Sequence, residues 1–144
     1  MPPTEIHIDA SPERVWEELA LPKTYEHWVV GSRTIESWDP EFPAAGTKFE
    51  HTQGKAPFVI RDETAVLASD PPRRLELLVK ARPLLEAHVI LELRPEGSGT
   101  RVVMEELPVR GLMALPLRLP PGRALTRLRN TEALRRVKKR AEDS

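Results

Sequence analysis

Between Ser69 and Leu107 the chain reads SDPPRRLELLVKARPLLEAHVILELRPEGSGTRVVMEEL, and through it apolar and charged residues take turns. A period of two is the signature of strands that bury one face and wet the other. Leu75, Leu77, Val79 and Ala81 share a face, as do Leu85, Ala87, Val89, Leu91 and Leu93, then Val102 and Met104, while their alternates are mostly Glu, Lys, Arg or His. The separators, "RP" and "PEGSG", are too short for a parallel crossover, which needs about a dozen residues or more. The ribbon is therefore an antiparallel meander, and its apolar face has to be covered by something else.

The same period reaches back to Arg33. It predicts strands near Arg33–Trp38, Thr47–Thr52, Phe58–Ala68, Arg74–Ala81, Leu85–Leu93 and Thr100–Leu107, each separated by segments rich in Pro or Gly. In the stretch from Phe58, Phe58 and Ile60 have one parity and Val59, Ala65 and Leu67 the other, so a bulge is expected near Asp62–Glu63. Upstream, TEIHID is a short strand, followed by a helix with Ser11 as N-cap, Pro12 at its first position and Val15, Trp16 and Leu19 on one face. A second short helix starts at Pro22, presents Tyr25 and Trp28 at i, i+3, and is expected to end at Gly31. Beyond the sheet, PVRGLMALPLRLPPG is too broken for one helix. GRALTRLRNTEALRRVKKRAED then reads as the longest helix, with a stripe of Leu125, Leu128, Leu134 and Val137 around Thr131.

Composition removes several function classes. At 144 residues the chain is expected to form one domain, 1–144. It has no cysteine, which excludes thiol chemistry and thiolate metal sites. His7, His27, His51 and His88 lack a paired ligand spacing, so no metal is expected. PEGSGT joins two strands instead of opening a helix, and no G-x-S-x-G elbow occurs, so the expected cofactor complement is none. The N-terminus has no export signal and no run reaches about 18 apolar residues, giving a soluble, cytoplasmic expectation without an integral membrane segment. Nine Lys or Arg residues lie between Arg118 and Arg140 against Glu132 alone. That basic helix is a candidate for peripheral contact with anionic headgroups or for a plain solvated face. The pI near 6.9 and the absence of interleaved aromatics argue against nucleic acid.

Through IDASPERVWEEL, DPPRRLELLV, ELRPEGSGTRVVMEE and RNTEALRRVKKRAE, the chain resembles the START-like (SRPBCC) helix-grip superfamily, particularly its polyketide cyclase/dehydrase and lipid-transport branch. The resemblance implies an α+β fold, with a curved antiparallel sheet of about seven strands wrapped around the C-terminal helix and two short helices after the first strand. It also implies a cavity between sheet and helix for a hydrophobic small molecule or lipid. The lining candidates are Trp28, Phe49, Phe58, Ile60, Leu77, Val89, Met104, Leu112, Met113, Leu125 and Leu128, each with an ordinary core role as its alternative. The competing reading is a cyclase or dehydratase using His51, Tyr25 or Glu106 as acid, base or hydrogen-bond donor. No motif carries the family's catalytic residues onto this chain, so binding leads. A third reading is a protein-interaction module.

Overall fold

A computed structural model of the protein describes residues 3–29, 33–55 and 57–143. In chain order these form β1 (Thr4–Ile8), α1 (Pro12–Ala20), a 3-10 turn (Pro22–Thr24), α2 (Tyr25–Trp28), β2 (Arg33–Trp38), β3 (Lys48–Lys55), β4 (Phe58–Asp70), β5 (Arg74–Ala81), β6 (Leu85–Glu96), β7 (Gly99–Arg110), α3 (Ala114–Arg118) and α4 (Pro120–Glu142). The seven strands make one antiparallel sheet in the order β1-β7-β6-β5-β4-β3-β2. The expected meander from β2 to β7 is thus present, with β1 closing the far edge beside β7. Gly31, the expected end of the second helix, lies outside the described residues.

Local chemistry sets the short helices. The Arg14 amide donates to Ser11 Oγ at 3.2 Å, which caps α1 where the sequence places its start. Glu18 is buried, yet its carboxylate accepts from Arg14 Nη2 at 3.0 Å and from Arg140 Nε at 2.7 Å. Two arginines from two helices offset the desolvation of one carboxylate and tie α1 to the end of α4. Arg136 pairs with Glu132 at 3.3 Å, and Lys138 donates to His7 O at 3.0 Å. Much of the basic charge on α4 is accordingly engaged within the molecule.

Two expectations need correction. Pairing of β3 with β4 runs without interruption from Lys48↔Ala65 to Lys55↔Phe58, so nothing bulges at Asp62–Glu63. The irregularity lies between Val66 and Ala68, where Leu67 is the extra, outward residue. Asp62 keeps the inward parity of Phe58 and Ile60 because Arg82 satisfies its carboxylate, so no phase change is required there.

The second correction concerns α4. Its buried face is Thr126, Asn130, Ala133, Leu134, Val137 and Ala141. Leu134 is 1% exposed, whereas Leu128 is 70% exposed and Leu125 is also turned to solvent. Nine residues separate Leu125 from Leu134, about two and a half helical turns, so the two cannot share a face. Leucine content suggested the stripe; helical phase forbids it. The apolar segment before α4 also contains one short helical piece, α3.

Packing differs between the two ends of the sheet. At one end Leu75, Leu91, Leu93, Val102, Ile8 and Val15 interlock with Leu134 and Val137. At the other, the inward positions carry Val79, Ala81 and Ala87 on the sheet and Ala133 and Asn130 on α4. Small side chains that face each other there leave unfilled the room that leucines occupy at the first end.

Candidate functional site

That room is a cavity of about 710 Å³. Of the residues singled out from the sequence, Tyr25, Trp28, Phe58, Ile60, Leu77, Val89, Met104 and Glu106 line it. Phe49 does not. It is fully buried in an aromatic cluster, with ring centres 5.0 Å from Tyr25 and 5.3 Å from Phe42. His51 is likewise in the core, its ring 5.9 Å from Phe49 and off the cavity wall. The enzyme reading therefore loses its imidazole. Leu112 and Met113 sit on the outside, because their amides donate to Pro83 O at 3.1 Å and to Leu84 O at 2.8 Å and hold that segment at the rim. Leu125 and Leu128 miss the cavity through the helical phase described above.

Two aromatics face the cavity with their polar groups already engaged. Tyr25 Oη donates to Leu19 O at 2.8 Å and Trp28 Nε1 donates to Glu18 O at 3.2 Å, both at the C-terminal end of α1. Free helix carbonyls thus receive the two donors, and the rings serve as apolar wall. The far rim is the β3–β4 hairpin. Near its tip Gly54 of β3 adopts φ +94°, and a Cβ there would come within 2.3 Å of Phe58 O. Phe58, 83% exposed, projects from this hairpin at the edge of the cavity. Just past β7, Gly111 at φ +106° lets the chain pass against Leu84, which lines the cavity.

The wall is mostly apolar but has one charged place. Glu106, inward on β7, forms an ion pair with Arg129 Nη2 of α4, and Asn130 reaches the cavity beside them. Glu106 is buried and Arg129 about one-third exposed, so the pair is charge-balanced at the boundary of the apolar interior. Glu106 shares the strand parity of Val102 and Met104; the partner on α4 was missed, because the leucine stripe gave the wrong helical phase. Counting back from Leu134 by one turn would have found Asn130. Thr64 was missed as well, although it shares the parity of Phe58 and Ile60.

Asp62 sits outside this cavity and is structural. Burial by itself would raise its carboxyl, but hydrogen bonds from the Arg82 side chain, the Arg82 amide and the Glu63 amide outweigh it and hold the group at about 2. The contact fastens β4 to the turn between β5 and β6, next to Leu84 and Leu85 on the cavity wall.

Residues 9–133 match the family model described as "Activator of Hsp90 ATPase homolog 1-like protein". No curated protein sequence matches the chain. Among solved structures, a Chromobacterium violaceum protein is similar with a TM-score of 0.71 at 15% identity, covering 99% of each chain. The solution structure of the Aha1 dimer from Colwellia psychrerythraea aligns at a TM-score of 0.69 with 13% identity, covering 98% of this chain and 95% of that one. A Thermus thermophilus protein gives a TM-score of 0.67 with 18% identity over 97% and 95%. At these identities the structural likeness establishes the helix-grip fold.

Proposed function

The chain belongs to the AHSA1-like family of the START-like helix-grip superfamily, and from that premise we propose that its cavity binds a hydrophobic small molecule. One observation carries the reading: the hollow is built by facing small residues, Ala81, Ala87 and Ala133, while the other end of the same sheet is filled with leucines. A protein gains stability from filled cores, so an apolar void of this size has its simplest use as a ligand site. Its volume falls within the roughly 300–1,000 Å³ typical of small-molecule pockets. Binding without turnover is favoured because the Tyr25 hydroxyl is engaged by Leu19 O, His51 is off the wall, and Glu106 is neutralised by Arg129.

The test is a fluorescence titration with N-phenyl-1-naphthylamine, a dye that brightens in apolar surroundings. Met104→Lys places a charge on the cavity wall and should abolish the enhancement, whereas Leu128→Lys, on the outer face of α4, should leave it unchanged. Equal effects of the two substitutions, or no enhancement with the parent protein, count against the site.

Delivery from a lipid surface is the reading we favour for how ligand arrives. No carboxylate occurs between Leu107 and Thr131, while Leu112, Leu115, Leu119, Leu125 and Leu128 are exposed there with Arg123 and Arg127. Exposed leucines beside unopposed arginines suit an anionic headgroup region. The patch continues from Leu84 on the cavity rim through the Leu112 and Met113 backbone contacts. Flotation with phosphatidylcholine vesicles containing phosphatidylglycerol should carry the protein, and Leu115→Ser with Leu119→Ser should prevent it; no flotation of the parent protein argues against delivery.

A further inference from the structure

Thr64 poses a question that the fold does not answer. It is 1% exposed, it lines the cavity, and its hydroxyl has no hydrogen-bond partner. Valine would fill the same space without the cost of an unsatisfied polar group, so the packing of β4 gives no reason for a hydroxyl here. A group on the ligand would satisfy it.

The sheet register fixes how far this hydroxyl lies from the other polar place in the cavity. Thr64 pairs with Val79, Val79 with Ala87, and Ala87 with Pro108, which is two residues from Glu106 on the same strand. Three strand spacings of about 4.8 Å, combined with a two-residue step of about 6.7 Å along β7, put the two places at most roughly 16 Å apart along a curved sheet. Between them the floor is Val79, Ala87 and Val89, all apolar. At the far place Glu106 accepts, Arg129 donates, and the carboxamide of Asn130 can do either. Because Glu106 and Arg129 cancel, that end favours a neutral group with both donor and acceptor capacity over an ion.

Building on the proposed ligand site, we infer that its ligand is an elongated, uncharged apolar molecule with a hydrogen-bonding oxygen at each end, one meeting Thr64 and the other meeting Glu106, Arg129 and Asn130.

Displacement of N-phenyl-1-naphthylamine by 1,10-decanediol, 1-decanol and 10-hydroxydecanoic acid tests this. The parent protein should prefer the diol to the mono-alcohol by roughly three- to tenfold, the worth of one hydrogen bond, and bind the acid more weakly than the diol. Thr64→Val should erase the diol preference without weakening 1-decanol, and Thr64→Ser should keep it. Melting curves of both variants, expected to equal or exceed that of the parent for valine, establish that each is folded. A diol preference unchanged in Thr64→Val, an absent preference in the parent, or a preference for the acid overturns the inference while leaving dye binding, and so the cavity reading, in place. Loss of dye binding by the parent removes both.

Discussion

Replacing Leu134 by alanine deletes three carbons from a side chain that is 1% exposed and packed with the hydrophobic core. Such truncations cost about 2–5 kcal/mol, since the transfer energy of the lost atoms and the residual cavity add. Leu128, 70% exposed on the same helix, should lose no more than about 0.5 kcal/mol on the same change. Urea unfolding followed by tryptophan fluorescence reads the difference directly. With a slope of about 1–3 kcal/mol per molar, Leu134→Ala should lower the midpoint by roughly 1–2 M, and Leu128→Ala should barely move it. The contrast depends only on which face of α4 meets the sheet. Equal shifts, or a larger one for Leu128→Ala, would refute the placement of α4 and with it the wall formed by Asn130 and Ala133.

Asp62 should make stability fall in acid. Its folded carboxyl titrates at about 2 against an ordinary 3.8, so the stabilisation is complete above about pH 4 and is lost as pH drops toward 2. The loss should be on the order of 1–2 kcal/mol, allowing for screening around the exposed Arg82, and Asp62→Asn should remove that part of the pH dependence in urea titrations; an unchanged profile counts against the contact. Glu18→Ala should cost about 1–3 kcal/mol, and far less in an Arg14→Ala, Arg140→Ala background; additive losses would mean that the three residues do not act together. Gly54→Ala, forced against Phe58 O at positive φ, should cost more than about 1 kcal/mol and weaken dye binding, so a neutral outcome would contradict the hairpin geometry at the rim.

The sheet was readable because alternation is a local property: one parity held from Leu75 to Ala81 and from Leu85 to Leu93, and those residues are the inward face of β5 and β6. Helix α4 was less readable. Its inward face includes Thr126, Asn130 and Ala133, which look like surface residues, whereas Leu125 and Leu128 look like core and are exposed. A hollow core produces that inward face, because hollowing means placing small or polar side chains where large apolar ones would otherwise pack. His51 and Phe49 illustrate a different limit. The two share one strand parity and both face inward, but only the tertiary arrangement of α2 and Phe42 decides that they fill core space and leave the cavity wall to Tyr25 and Trp28. Arg129 was invisible for the same reason as Asn130, since its pairing with Glu106 depends on the phase of α4.

Native mass spectrometry of the freshly purified protein, before and after denaturation and solvent extraction, tests the ligand-binding account most directly. The account predicts an added mass that leaves on denaturation and is absent from Met104→Lys purified in the same way. A parent protein that carries no added mass and takes up neither the naphthylamine dye nor 1,10-decanediol would contradict it.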